Sequence, residues 1–175
     1  MRIRDLTIDD AEDLLRFEFT NRAWFEQHIA PRPDSFFNLV AVQDHIRGYL
    51  NARELKQFHA CVITDEQGII VGRANLREIS IKLSSAEVGY RIAESHSGLG
   101  LASMATKHLL DLAYNNWRLS NIFAYVTVAN HASSRVLAKN GFVEIGRHPR
   151  ITKLKHGAFD CIQYQHVPSA TKTHA

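Results

Sequence analysis

The residues best suited to chemistry form one run in the middle of the chain, His96-Ser97-Gly98-Leu99-Gly100-Leu101-Ala102-Ser103, between a predicted strand and a predicted amphipathic helix. Its glycines let the backbone approach a ligand closely. The unpaired N–H groups of a helix's first turn point outward, with the positive end of the dipole behind them. Such a site suits a phosphate or pyrophosphate, although a plain glycine turn that starts a helix has the same spelling. Exclusion narrows the ligand. No Gly-Lys-Ser/Thr follows the second glycine, as a P-loop requires. A dinucleotide fold wants this loop after the first strand of a parallel unit, with an acidic residue about 20 residues on. Here the loop follows an antiparallel hairpin, and Leu119–Ile122 carries no carboxylate.

A second cluster is weaker. His59 and Cys61 alternate along a strand and share a face, but two further ligands at usable spacing are missing, so no metal is expected, zinc included. Cys61 and Cys161 lie far apart and neither sits in a CxxC, so both read as reduced thiols of a cytoplasmic protein.

The elements that must position the glycine run are legible from periodicity. Arg2–Leu6 reads as a strand, and Thr7 with Asp10 as a capping box before a helix to about Thr20, with Ala11, Leu14, Leu15 and Phe19 on one face. Asn21–Ser35 reads as an aromatic-rich loop, and Asn38–Lys56 as a helix carrying Val42, Ile46, Leu50 and Leu55. Phe58–Thr64 and Ile69–Ile79 flank Asp65-Glu66-Gln67-Gly68, a hairpin turn, and Ala86–Ile92 alternates Ala, Val, Tyr and Ile against Glu87, Gly89 and Arg91. A helix is expected over Gly100–Trp117, a strand over Ile122–Val128, a helix over Ala132–Asn140 closed by Gly141, and strands over Phe142–Arg147 and Phe159–Val167. One βαβ crossover after an antiparallel run makes this an α+β fold with a mixed, mostly antiparallel twisted sheet flanked by helices.

At 175 residues the chain suits one domain, assigned to 1–167, with a flexible tail over 168–175. A formal charge of +3 with no block of Lys and Arg gives no reason to invoke nucleic acid, yet suits a polyanionic cofactor. No apolar run approaches the roughly 18 residues of a membrane span, and the N-terminus has no secretory apolar core. Monomer and homodimer both stay open.

The stretches E87-V-G-Y90, S97-G-L-G-L-A102, V128-A-N130-H-A-S133-S-R-V-L-A-K-N-G141-F142 and G157-A-F-D160 together resemble the C-terminal half of a GNAT acetyltransferase. N21-R-A-W-F25 and A30-P-R-P-D34-S-F-F37 resemble the ribosomal-protein alanine N-acetyltransferases of the RimJ/RimL type. The resemblance implies the GNAT fold, acetyl-CoA as cofactor, and direct attack of an amine on the thioester with no covalent intermediate. It implies that Gly98, Leu99, Gly100, Leu101, Ala102 and Ser103 hold the CoA pyrophosphate through backbone amides. It further implies that the strand Val88–Ile92, with Tyr90, Arg91 and Ile92, offers its edge to pantetheine, Gly89 fitting a local bulge that opens the sheet. Asn130 would contact the cofactor near the thioester, a role compatible with capping the helix that follows. The chain departs from the family pattern at Ser97, where a long Gln or Arg is usual, and at Met104, which replaces a frequent Glu and is expected to face the core.

The reaction needs a neutral amine, a polarised carbonyl and a proton for the leaving thiolate. Glu87 is the first candidate base, with a half-exposed surface Glu as its plain alternative. Ser133 occupies the position of a general acid in the RimL-like branch, or is a first-turn Ser satisfying helix amides, and Tyr125 is a reserve acid. The acidic residue that relatives carry before the last strand has no counterpart in Arg147–His156. Arg22, Trp24, Phe25 and Arg32 are assigned to the acceptor wall, with a lid packed on the core as the alternative for the two aromatics. The acceptor is an amine, either a protein N-terminus or a small molecule such as an antibiotic, a polyamine or an amino-acid conjugate. A non-catalytic acyl-CoA-binding module is the reading from a different class.

Overall fold

The computed structural model describes residues 1–154 and 157–168, with the side chains of 150–154 outside that description; the expected tail beyond Pro168 also lies outside it. Seven strands form one sheet in the order β1-β2-β3-β4-β5-β7-β6. They are β1 Arg2–Asp5, β2 His59–Thr64, β3 Ile70–Ser80, β4 Ser85–Ile92, β5 Asn121–Thr127, β6 Phe142–Leu154 and β7 Gly157–His166. Every neighbouring pair is antiparallel except β4 with β5. The mixed sheet expected from sequence is the one that forms.

Helices cover both faces. On one lie α1 (Ala11–Thr20), the single turn α2 (Arg22–Phe25) and α3 (Leu39–Glu54); on the other lie α4 (Leu101–Asp111) and α5 (His131–Lys139). This two-sided cover explains why all six residues of β2 are buried, Ala60 and Val62 in the first core and Cys61 and Ile63 in the second. Val62 and Ile63, fully buried, each contribute about 1.5–3 kcal/mol. Asp10 accepts from the Thr7 amide at 2.8 Å, closing the expected capping box, and Asn38 caps α3 through its side chain. Gly68 takes φ +84° in the β2–β3 turn.

Several expectations are corrected. Asn21–Ser35 is not wholly loop, since Arg22–Phe25 and Asp34–Phe36 form helical turns. The expected helix to Trp117 is α-helical only to Asp111 and finishes as a π-helical turn over Leu112–Asn116. β6 extends to Leu154 instead of ending at Arg147, because it hairpins with β7 along most of its length. On α1 the inward face is Ala11, Leu14, Phe17 and Glu18, and Phe19 is exposed. A buried arginine draws Glu18 inward, which apolar periodicity cannot register. Leu55 likewise lies exposed past the end of α3.

Candidate functional site: the cleft between β4 and β5

The site begins with a failure of pairing. β4 and β5 share parallel register only from Ser85 to Glu87, against Asn121 to Phe123. From Val88 onward the two strands diverge, leaving the β5-facing side of β4 without a ladder partner. The divergence does not come from a bulge at Gly89, which keeps regular register opposite Asn75; the irregularity lies between Arg77 and Ser80. The result is a free strand edge, able to take an extended ligand by main-chain hydrogen bonds.

At the open end of β4 stands the glycine loop. Gly98 and Gly100 both take φ +80°, and a Cβ at either would meet open space within the protein. Gly100 is the N-cap of α4 and supplies no side-chain acceptor, while its carbonyl takes the first helical bond from Met104. The amides of Leu101, Ala102 and Ser103 therefore have no intrahelical partner, and all three residues line the cavity at the positive end of the helix. The Ser103 side chain is turned aside to Asn140, which donates to its Oγ at 2.9 Å. Leu99 is exposed and does not line the cavity.

The cavity measures about 470 Å³. Its walls are Tyr90, Arg91 and Ile92 of β4, the run from His96 to Ser103 apart from Leu99, the start and one face of α5, and Trp24, Phe25, His28 and Ile29. Among the described residues no carboxylate lines it, whereas Arg91, Arg135 and Lys139 do. Arg135 and Lys139 are spaced i,i+4 and share a face of α5. Deeper in, the Tyr90 hydroxyl is buried without a hydrogen bond, Ser133 lies beside it, and burial pushes the phenol above its ordinary range. Asn130 accepts from the Ser133 amide at 3.1 Å, so its capping role is realised at a position that also lines the cavity.

An amide cradle, a free strand edge and basic, carboxylate-free walls suit a long polyanion with an extended amide-bearing arm. The comparisons agree. Residues 1–143 match the model of the GNAT acetyltransferase domain. The chain belongs to the GNAT acetyltransferase family. It is 30% identical over 146 residues to the Bacillus subtilis (strain 168) protein named "Probable N-acetyltransferase YjcK", covering 82% of this chain and 81% of that one. Its fold resembles that of the ribosomal-protein-S5-alanine acetyltransferase from Vibrio fischeri, with a TM-score of 0.90 at 20% identity over 96% of this chain and 93% of the other. Mycobacterium smegmatis RimJ in complex with CoA-disulfide gives 0.87 at 23% identity, over 93% and 79% of the two chains.

The acetyltransferase places its other expected site residues less uniformly. Glu87 does not line the cavity; it is the last β4 residue paired to β5, at the vertex of the cleft, and its carboxylate holds Arg77 Nε at 3.0 Å. Burial raises its pKa against the opposing pull of Arg77. Tyr125, one alternation beyond Phe123 on the diverging β5 arm, feels the Glu87 charge and packs on His148, with ring centroids 5.6 Å apart. His148 in turn meets Gln163 at 2.7 Å. Phe25 is buried in the core, and Trp24 donates from its indole to the Ile92 carbonyl at 3.2 Å, so these aromatics both pack and line the cavity. Arg22 and Arg32 stay outside the cavity: Arg22 holds Glu26 and Asp34, and Arg32 reaches Glu18.

Sequence reasoning missed His148, Arg135 and Lys139. The last two had a signal, their i,i+4 spacing inside the quoted Asn130–Phe142 stretch. His148 had none, because only the β6–β7 hairpin carries it to Tyr125.

The His59–Cys61 pair acquires a third neighbour, Asp5, and Cys61 Sγ lies 3.9 Å from His108 Nε2. The hydrogen bonds make this a structural staple. Trp117 donates its indole N–H to His59 Nδ1 at 2.9 Å, which puts the neutral ring's proton on Nε2, where it is donated to Asp5 at 2.8 Å. A metal at Nε2 would need the opposite tautomer and an acceptor at Nδ1. Asp5 is also held by Arg53 at 2.8 Å, and burial pushes the Cys61 thiol up to about 12, far from the thiolate a metal requires. Added zinc is therefore expected to leave Tm unchanged and chelators to leave acetyl transfer unchanged; zinc-dependent stabilisation in a thermal melt would contradict the staple.

Proposed function

We propose that the acetyltransferase moves the acetyl group of acetyl-CoA onto the N-terminal α-amine of a protein or peptide. The observation that carries this reading is the position of Glu87 at the vertex of the β4–β5 cleft, with Tyr125 on the diverging arm. The cradle of Gly98, Gly100 and the amides of Leu101–Ser103 holds the pyrophosphate, Arg135 and Lys139 meet further phosphate charge, and the free edge of β4 from Val88 to Ile92 holds the pantetheine arm. When bound, acetyl-CoA supplies the activated acyl thioester. Tyr90 and Ser133, side by side and hydroxylic, are placed to polarise the carbonyl and return a proton to the thiolate. Glu87 takes the proton from the amine, directly or through water, with Tyr125 as the reserve acid.

The acceptor class follows from pKa. An α-amine near 7.7–8.0 needs only a modest base at neutral pH, whereas a lysine near 10.4 asks for roughly 3 kcal/mol more deprotonation work. A carboxylate raised by burial is a modest base. A polycation is disfavoured by charge, since Arg91 borders the cavity and further arginines stand behind it.

The reading is tested by thiol release from acetyl-CoA with N-terminal peptides, polyamines and other small amines as acceptors. Turnover confined to the small amines overturns it, and CoA binding without turnover on any amine overturns both enzymatic readings. The Glu87 assignment has its own test. A base must be deprotonated, so activity falls on the acid side as the raised Glu87 pKa is crossed. Glu87→Gln is expected to lower kcat about 100-fold or more and to abolish that acid limb; an unchanged profile removes Glu87 as the base.

A further inference from the structure

A half-buried carboxylate that serves as a base has to be kept charged and held in one orientation, because burial favours its neutral form. Strand β3 supplies both conditions to Glu87. Arg77 stands directly opposite Glu87 in the β3–β4 ladder, and its Nε lies 3.0 Å from Glu87 Oε2. Opposite charges facing each other across two strands attract. Among the described residues no hydrogen bond or ion pair engages Oε1 of Glu87, so one carboxylate oxygen is held and the other stays available.

The ladder is interrupted immediately after this pair. Glu78 and Ile79 stand against Ala86 alone before register resumes at Ser80 and Ser85, a bulge of one residue. Glu78 takes φ +49°, a left-handed conformation uncommon for a residue with a side chain. The amide of Ile79 donates to the Gln57 carbonyl at 3.1 Å, and the Ile79 side chain is buried in the core, so the bulge is pinned. Bulges re-aim side chains and are frequent beside active sites. Here consecutive residues of one strand place charges of opposite sign near Glu87. Burial raises the Glu87 carboxyl, Arg77 works against that effect, and Glu78 adds to it. Among the described residues the other titratable neighbour is Tyr125 of β5, which responds to both Glu87 and Arg77 and packs against His148 of β6. Arg91, four residues on along β4, is engaged by Glu18.

We propose that Arg77 is the positioning residue for the base, gripping Oε2 of Glu87 so that Oε1 receives the proton of the attacking amine. The inference rests on the acetyl-transfer reading above and deepens it, by naming the group that holds and tunes the base. A guanidinium suits this task because it stays charged and neither takes nor gives up a proton, so the transferred proton remains on Glu87. Glu78 acts as a counterweight, keeping the carboxylate basic enough to accept it.

The test follows two quantities in wild type, Arg77→Gln, Arg77→Lys and Glu78→Gln. One is the acid limb of kcat/KM against pH for an N-terminal peptide, which reports the free enzyme. The other is the carbon-13 NMR titration of the Glu87 carboxyl in the free protein, assigned by its loss in Glu87→Gln, which needs no turnover. Arg77→Gln is expected to move both to higher pH by about one unit, about a 10-fold loss of kcat/KM at a fixed pH on that limb. Arg77→Lys keeps the charge without the planar fork and restores part of the shift. Glu78→Gln moves both the opposite way, by a few tenths of a unit that added salt diminishes. A Glu87 carboxyl that titrates unchanged in Arg77→Gln overturns the inference, whether or not the limb moves. A carboxyl that shifts while the acid limb stays in place upholds the pairing and sinks the reading of Glu87 as the base instead.

Discussion

Replacing Glu18 with Gln is expected to lower folding stability by about 3–5 kcal/mol, because it leaves Arg73, Arg91 and Arg32 converging on a group with no charge. For a chain of this length that loss reads as a fall in Tm of roughly 6–20 °C. The effect depends on pH in a defined direction. In the folded protein burial alone would raise the Glu18 carboxyl, but the three arginines together outweigh it and hold it at about 2, against an ordinary value of 4.5. As pH falls, the unfolded chain binds this proton first, so the stabilisation is complete above about pH 4.5 and is lost toward pH 2. The shift corresponds to about 3 kcal/mol at 1.36 kcal/mol per unit. Chemical denaturation of wild type and Glu18→Gln at pH 7 and across that window checks both points. The gap between the two proteins should narrow as the pH drops, and a gap independent of pH would contradict the network.

The second large effect concerns the cradle. Gly100→Ala is expected to weaken CoA binding about 10-fold or more. A Cβ at Gly100 meets nothing in the protein, so the obstacle it creates falls on an approaching phosphate. It also strains a backbone held at φ +80°, by about 1 kcal/mol. Gly68 separates these two causes: it has φ +84° and equally open space, but it sits in the β2–β3 turn. Gly68→Ala is expected to lose the same stability while binding CoA like the wild type. Calorimetry with CoA and a melt on each variant decide the matter, and equal CoA affinities for the two variants would remove Gly100 from the site.

The contrast between these two positions shows what local pattern can convey. The glycine loop was legible because the backbone groups it presents are consecutive in sequence, and strand-loop-helix order is a local property. The order of the strands and of the longer helices was legible for the same reason, as was the capping box at Thr7 and Asp10, whereas the single turn α2 was read as loop. Glu18 was illegible. Its inward direction depends on Arg73, 55 residues away and on another element, so helical periodicity nominated exposed Phe19 in its place. His148 and Tyr125 meet only because β7 pairs with both β5 and β6, a topological fact that no spacing encodes. The cleft was anticipated at the right strand but from the wrong cause. A bulge at Gly89 was expected, and the opening instead comes from β5 leaving β4 after Glu87. The cysteines were read as reduced thiols, and both are buried on separate strands with no disulfide between them.

Glu87 at the vertex of that opening is the point on which the proposed reaction turns. The most direct measurement is the position of the acetyl group on a peptide that offers both a free N-terminal α-amine and an internal lysine, located by tandem mass spectrometry after incubation with acetyl-CoA at neutral pH. The expected result is acetylation of the α-amine alone, lost in Glu87→Gln. Acetyl on the lysine side chain, or consumption of acetyl-CoA only when a polyamine replaces the peptide, would contradict it.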